Sequence, residues 1–229
     1  MTVQAVILAA GMGTRLGKPW PKPLTPLSDG RTIMQQQMQN LTAAFDDVRV
    51  TTVVGFKLEL ILEAFPDVSY VYNENYDQTN TNRSLLKALR QSADGGVLWM
   101  NGDVVFDPQV LERVKDLMAA EQSFICVNTA VVGEEEVKYT VDADGFVDKL
   151  SKTVVDALGE SVGINYVSAD DKAKLIVRLG ECEDSDYFER GLELMIERDG
   201  ARVVPFDIRD LFAVEVDFEE DLSRANQHL

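Results

Sequence analysis

The chain has 229 residues, 45% hydrophobic and 27% charged, which is enough apolar content to bury one sizeable core. Its 22 basic and 39 acidic residues leave a formal net charge of -17, so the average surface repels nucleic acid and anionic membranes, and any bound phosphate needs a local cluster of cations and backbone N–H groups. The single histidine, His228, lies beside the C-terminus, which argues against a Ser-His-Asp triad, a histidine base or a histidine-bound zinc and leaves carboxylates, lysines, arginines, amides and a hard metal ion.

The opening run MTVQAVILAAGMG is too short to span a membrane and lacks the basic start and cleavage pattern of a signal peptide, so a cytoplasmic protein without a membrane partner is expected. Cys126 and Cys182 have no metal-ligand or CxxC spacing and are expected to be buried thiols in a reducing compartment. Strand patterns at 3–9, 48–54, 69–72, 96–100 and 124–127 alternate with helical patterns at 32–45, 58–65, 84–92 and 108–120. That alternation predicts an α/β fold, a Rossmann-like three-layer sandwich with a mixed, mainly parallel central sheet. Runs at 137–141 and 146–150 flank Asp142-Ala143-Asp144-Gly145 and predict a small antiparallel hairpin insertion. Further strands are expected at 161–167, 202–205 and 213–216, with helices at 169–179, 185–198 and the C-terminus. No repeat, low-complexity tract or linker divides the chain, so a single domain over 1–229 is expected. In an open parallel sheet ligands bind beyond the carboxyl ends of the strands, which directs attention to the segments after Ala9, Met100 and Val216.

After the first strand comes LAAGMGTRLGKPWPKPL, residues 8–24. Ala9, Ala10, Gly11 and Gly13 allow backbone N–H groups to approach an anion closely, while Arg15, Lys18 and Lys22 add positive charge, a combination suited to a polyphosphate. A glycine turn alone is a competing reading, as is a dinucleotide loop. The latter is disfavoured because Leu16 stands where a third glycine belongs, the second strand ends without a ribose-binding acid, and Pro19, Pro21 and Pro23 forbid the long helix such a loop opens.

Asp103 follows a buried strand and Asp217 follows 213–216, so each carboxylate stands at a strand end where a hard divalent cation could be held. Taken alone, Asp103 could be a turn residue, and Asp217 a helix N-cap with Glu220 completing a capping box.

Leu8-Ala9-Ala10-Gly11, Gly13, Arg15 and Pro21-Lys22-Pro23-Leu24 together resemble the LAAGxGxR…PKxL signature of the nucleotidylyltransferase superfamily, the nucleotide-diphospho-sugar transferase fold. The landmarks Val54-Gly55-Phe56, Asn73-Glu74-Asn75-Tyr76, Asn80 to Leu85 and Gly159 to Ile164 are similar to its choline-phosphate and inositol-phosphate cytidylyltransferase branch. The resemblance implies transfer of a nucleoside monophosphate from CTP to phosphocholine, inositol phosphate or a related phosphate, with release of pyrophosphate. It implies nucleotide contacts at Leu8, Ala9, Ala10, Gly11, Gly13, Asn80, Ser84 and in part Asn82. It further implies catalytic roles for Arg15, Lys22 and Lys152, and Mg2+ on Asp103 and Asp217; Phe218 departs from the small polar residue usual after the second aspartate. A homodimer is compatible with it. For the acceptor, Tyr76, Tyr166, Tyr187 and Phe188 are candidate aromatic contacts and Asp184, Asp186 and Glu189 candidate head-group contacts, each also readable as core or as a solvated acidic face. A hexose-1-phosphate nucleotidylyltransferase and a non-catalytic nucleotide-binding module are the alternatives.

Overall fold

The computed structural model describes residues 2–130, 132–133 and 136–229. The apolar β-branched run of β1 (Val3–Ala9) pairs in parallel with β2 (Val48–Val54) on one side and β4 (Val97–Asn101) on the other; β3 (Ser69–Tyr72) extends the sheet beyond β2. Past β4 the direction reverses. β9 (Gly159–Val167) runs antiparallel to both β4 and β6 (Phe124–Asn128), and β10 (Val204–Asp207) pairs in parallel with β6 at the edge. The order is β10-β6-β9-β4-β1-β2-β3, and the mixed, mostly parallel sheet expected from the sequence is present. The expected hairpin is also present: β7 (Lys138–Val141) and β8 (Val147–Ser151) flank a turn in which the Asp142 carboxylate accepts from the N–H groups of Asp144 and Phe146, and β7 pairs with β9.

Alternation along β1 sends its side chains to two cores. Val6 and Leu8 join Trp99 and the buried faces of α3 (Thr81–Gln91), α5 (Ala169–Glu181) and α6 (Phe188–Asp199). Ala5, Ile7 and Ala9 face α1 (Ile33–Ala44), α2 (Leu58–Ala64) and α4 (Gln109–Ala119). Helices on both faces make the three layers. Among the described residues no helix is long and apolar enough to cross a membrane. Cys126 and Cys182 are buried and unbridged, and burial pushes the Cys126 thiol up, as inert core thiols require.

One element escapes the sequence pattern. β5 (Val104–Phe106) pairs antiparallel with β11 (Ala213–Glu215) in a separate two-stranded ribbon, and α7 (Glu219–Asn226) follows β11. The ribbon rests on an unusually polar buried face of α1. Gln37 donates to the carbonyls of Asn101 and Val104, both at 2.8 Å, while Gln36 and Asn40 donate to the Phe106 carbonyl at 2.6 and 3.0 Å. These amides satisfy carbonyls that the main sheet cannot reach. Replacing Gln37→Leu leaves two of them without a donor and should lower unfolding free energy by about 2–4 kcal/mol. Urea unfolding measures this; an unchanged midpoint would show that the α1 amides do not support the ribbon.

Candidate active site

The ribbon brings together two carboxylates that are distant in sequence. The Val216 N–H donates to the Asp103 carbonyl at 2.9 Å just beyond the paired residues Glu215 and Val104, so Asp103 and Asp217 lie side by side. Asp217 is not the helix cap. The residue preceding α7 is Phe218, and it is the Asp221 carboxylate, not that of Glu220, that accepts from the N–H groups of Asp217 and Phe218 at 3.1 and 2.8 Å. With the helix start satisfied by Asp221, the Asp217 side chain turns instead to Lys22 and Arg15.

The Lys22 Nζ donates to Asp103 Oδ2 at 2.9 Å and to Asp217 Oδ1, and Arg15 Nη1 donates to Asp217 Oδ2 at 2.8 Å. Burial opposes the charge on Lys22, but the two aspartates outweigh it and hold the ammonium above its usual range. Burial would likewise raise Asp217, yet Lys22 and Arg15 hold it below the ordinary carboxylate range. The lysine is delivered by a one-turn helix at Lys22–Leu24, set between Pro21 and Pro23. Its aliphatic stem passes Gly13, which has φ +58°; a Cβ there would lie 2.7 Å from Lys22 Cγ. The second glycine of the loop therefore makes room for the signature lysine. Lys18 ion-pairs with Glu219 instead, which separates the two lysines.

A cleft of about 280 Å3 opens over the ends of β1 and β4. Its lining includes Leu8, Ala9, Gly11, Gly13, Arg15, Lys22, Asp103, Lys152 and Asp217. Lys152 reaches it from beyond β8, its ammonium 4.8 Å from the Tyr187 ring centroid. A side cleft of about 60 Å3, sharing Leu8, Gly11 and Thr81 with the main one, is lined further by Ala10, Asn73, Tyr76, Thr79, Asn80 and Ser84. Asn80 also caps α3 by accepting from Thr81 N–H at 2.8 Å, and Ser84 Oγ accepts from Asn73 at 3.1 Å. Asn82 lines neither cleft. It is fully buried, and its amide is spent on the Glu183 carbonyl and the Arg83 N–H, so it is a structural residue. His228 stacks on Phe212, with ring centroids 4.0 Å apart, and is not among the residues lining either cleft.

Sequence reasoning named one member of the acidic wall, the head-group candidate Glu189, and missed two, Glu215 and Glu136; all three line the main cleft. Glu215, the last residue of β11, accepts from Asn101 Nδ2 at 3.0 Å, and burial, then the charge of Asp103, pushes it well above the usual range. Burial and the neighbouring Glu160 raise Glu136, while burial pushes Glu189 up to about 7. The other two head-group candidates serve elsewhere: Asp184 pairs with Arg83 at 2.7 Å, and Asp186 accepts from Glu183 N–H at 2.9 Å. Of the aromatic candidates, Tyr187 and Phe188 line the main cleft and Tyr76 the side cleft; Tyr166 is buried, stacked on Phe124.

The two aspartates suit a metal by their chemistry. A point within reach of both carboxylates already holds a cationic nitrogen, and hard oxygen donors in that number match Mg2+, which completes its shell with water and phosphate. Among the described residues no group of three or more ligating side chains converges, so an all-protein cage is not available there.

Because Glu189 is held at about 7 against an ordinary 4.5, the folded chain binds its proton more tightly than the unfolded chain. That stabilisation is complete below pH 4.5 and is lost as pH rises through 7, at a cost on the order of 3 kcal/mol. Glu189→Gln should therefore unfold at higher denaturant than the parent at pH 8, and the gap should shrink toward pH 5. A gap that does not vary with pH would assign it to something other than this carboxyl.

Residues 5–170 match the MobA-like NTP transferase domain. Over 152 residues the chain is 38% identical to the CMP-5'-(3-aminopropyl)phosphonate synthase of Streptomyces rubellomurinus, a stretch covering 62% of this chain and 23% of that protein. Over 116 residues it is 33% identical to the bifunctional protein GlmU of Methanococcus maripaludis, covering 48% of this chain and 27% of the relative. These alignments thus span about a quarter of the length of the two curated relatives. The inositol-1-phosphate CTP transferase structure from T. maritima is similar with a TM-score of 0.78 at 16% identity, covering 100% of this chain and 98% of that one. The CTP:phosphocholine cytidylyltransferase structure from Streptococcus pneumoniae gives 0.77 at 18%, covering 100% and 99%; at such identities the likeness is one of fold.

Proposed function

Because the chain belongs to the MobA-like NTP transferase domain family, we propose that it is a cytoplasmic, Mg2+-dependent cytidylyltransferase. It moves a nucleoside monophosphate from CTP to a small acceptor bearing a phosphate or phosphonate and releases pyrophosphate. The observation that carries this reading is the convergence of Asp103 and Asp217 on one cationic position, facing the glycine loop across a single cleft. The CMP product in the name of the Streptomyces rubellomurinus relative supports the choice of nucleotide. So does the narrow side cleft, whose amides and hydroxyls offer hydrogen bonds to a pyrimidine edge.

In the reaction, an acceptor oxygen forms a new bond to the α-phosphorus as the bridging bond to the β-phosphate breaks. The acceptor anion is already deprotonated at neutral pH, so no base is required, in keeping with the absence of histidine from the residues lining the cleft. Asp103 and Asp217 would hold Mg2+, which when bound neutralises phosphate charge and orients its oxygens. The backbone around Gly11 and Gly13 receives the polyphosphate, and Arg15 and Lys22 offset the charge that develops on departing pyrophosphate. Lys152 enters from the opposite wall, where it counters the acceptor anion. Positioning and charge compensation carry the catalysis.

Pyrophosphate release with Mg2+, over CTP, UTP, GTP, ATP and dTTP against phosphorylated acceptors, tests the proposal. Release should require CTP and one acceptor class, and Asp103→Asn should lower kcat by about 100-fold or more with an unchanged circular dichroism spectrum. Full activity in the variant would remove Asp103 from the site. Release only with hexose 1-phosphates would replace the acceptor reading with that of a sugar nucleotidylyltransferase.

A further inference from the structure

Glu189 enters the proposed reaction nowhere, yet it lies in the cleft wall in the first turn of α6. The residue is only 6% exposed, and its Oε2 has no hydrogen-bond partner. A buried carboxylate oxygen without a donor is costly, and folded chains keep such groups where a ligand completes them. Lys152 eases the charge only in part, because its ammonium sits over the Tyr187 ring and burial still dominates the Glu189 carboxyl. Glu136, in the same wall, adds negative potential at Glu189.

Three acceptor chemistries can be compared against this wall. A sugar hydroxyl supplies a donor to Oε2 but leaves the carboxylate charge uncompensated. A quaternary ammonium supplies charge but no N–H, and it needs open aromatic faces. A cage of such faces is not built here: Lys152 lies over the ring of the exposed Tyr187, and Phe188 packs edge-on against Trp99 at 5.6 Å and is buried. A primary ammonium supplies both the proton donor and the charge. The adjacent Lys152 accounts for the other end of such a molecule, since a short zwitterion places its phosphate or phosphonate on Lys152 while its ammonium reaches Glu189.

Resting on the transferase reading above, we infer that the acceptor is an ω-aminoalkyl phosphate or phosphonate, with Glu189 receiving its primary ammonium group. Phosphoethanolamine and phosphocholine isolate this feature, because they differ only in three N-methyl groups; ethyl phosphate removes the amine altogether. Titration calorimetry of the full chain, with Mg2+ and a non-hydrolysable CTP analogue present, should give phosphoethanolamine an affinity about tenfold or more above both others, the magnitude of one charge-assisted hydrogen bond. Glu189→Gln should erase that preference while ethyl phosphate binds as before. Equal affinities for phosphoethanolamine and phosphocholine, or a preference that survives in Glu189→Gln, would overturn the inference.

A parallel pyrophosphate assay separates the two readings. Amine selectivity in binding with no pyrophosphate released would uphold the ammonium pocket and remove the transferase. Pyrophosphate released with no dependence on the amine or on Glu189 would uphold the transferase and remove the pocket.

Discussion

One ammonium group, the Nζ of Lys22, stands between two carboxylates that approach from separate strand ends. Without it, Asp103 and Asp217 would repel each other by on the order of 3 kcal/mol at an effective dielectric of about 20. Arg15 completes the balance by pairing with the second oxygen of Asp217, so two acids and two bases close into a nearly neutral unit inside a strongly acidic chain. The surrounding architecture serves this unit. The prolines at 21 and 23 fix the approach of the lysine, Gly13 leaves space for its stem, and the β5–β11 ribbon holds the acids side by side.

Glu215 shows how closely the layers below are fitted to the site. It is half-buried, and its carboxylate lies over Gly163, where φ is +70° and a Cβ would fall 2.4 Å from Glu215 Oε1. The antiparallel strand β9 therefore does more than extend the sheet. Its glycine forms the floor on which the Glu215 carboxylate, held by Asn101, sits.

Much of this was readable from the residues. The alternation of β1 with the runs at 48–54 and 96–100 announced a parallel sheet, and the glycine loop with its lysine and the two strand-end aspartates pointed to the end of it where the main cleft opens. What escaped had physical reasons. β5 is three residues long and follows a turn directly, so it carries no period of its own, and its partner lies more than a hundred positions away. The alternative cap at Asp217 could not be dismissed from the sequence because Asp217 and Asp221 have the same chemistry and only backbone geometry decides which of them turns back to the helix start. Asn82 resembled a ligand contact, but a buried amide can be consumed by neighbouring backbone groups, as this one is. Glu215 was hidden because a lone acid in an apolar strand reads as a solvated position until the neighbouring strand is in place.

The ribbon also governs when the site comes into existence. Strands β1, β2, β3 and β4 and the glycine loop are complete within the first half of the chain, whereas the carboxylate that pairs with Asp103 arrives only after β11. During synthesis, the sheet and the glycine loop can assemble well before Asp103 and Asp217 come together, because chains fold from the N-terminal side as they emerge. Until then Lys22 has only Asp103 to neutralise it, and the half-built cleft carries a surplus of positive charge. The two carboxylates close around Lys22 only in one late event, the docking of three residues onto β5.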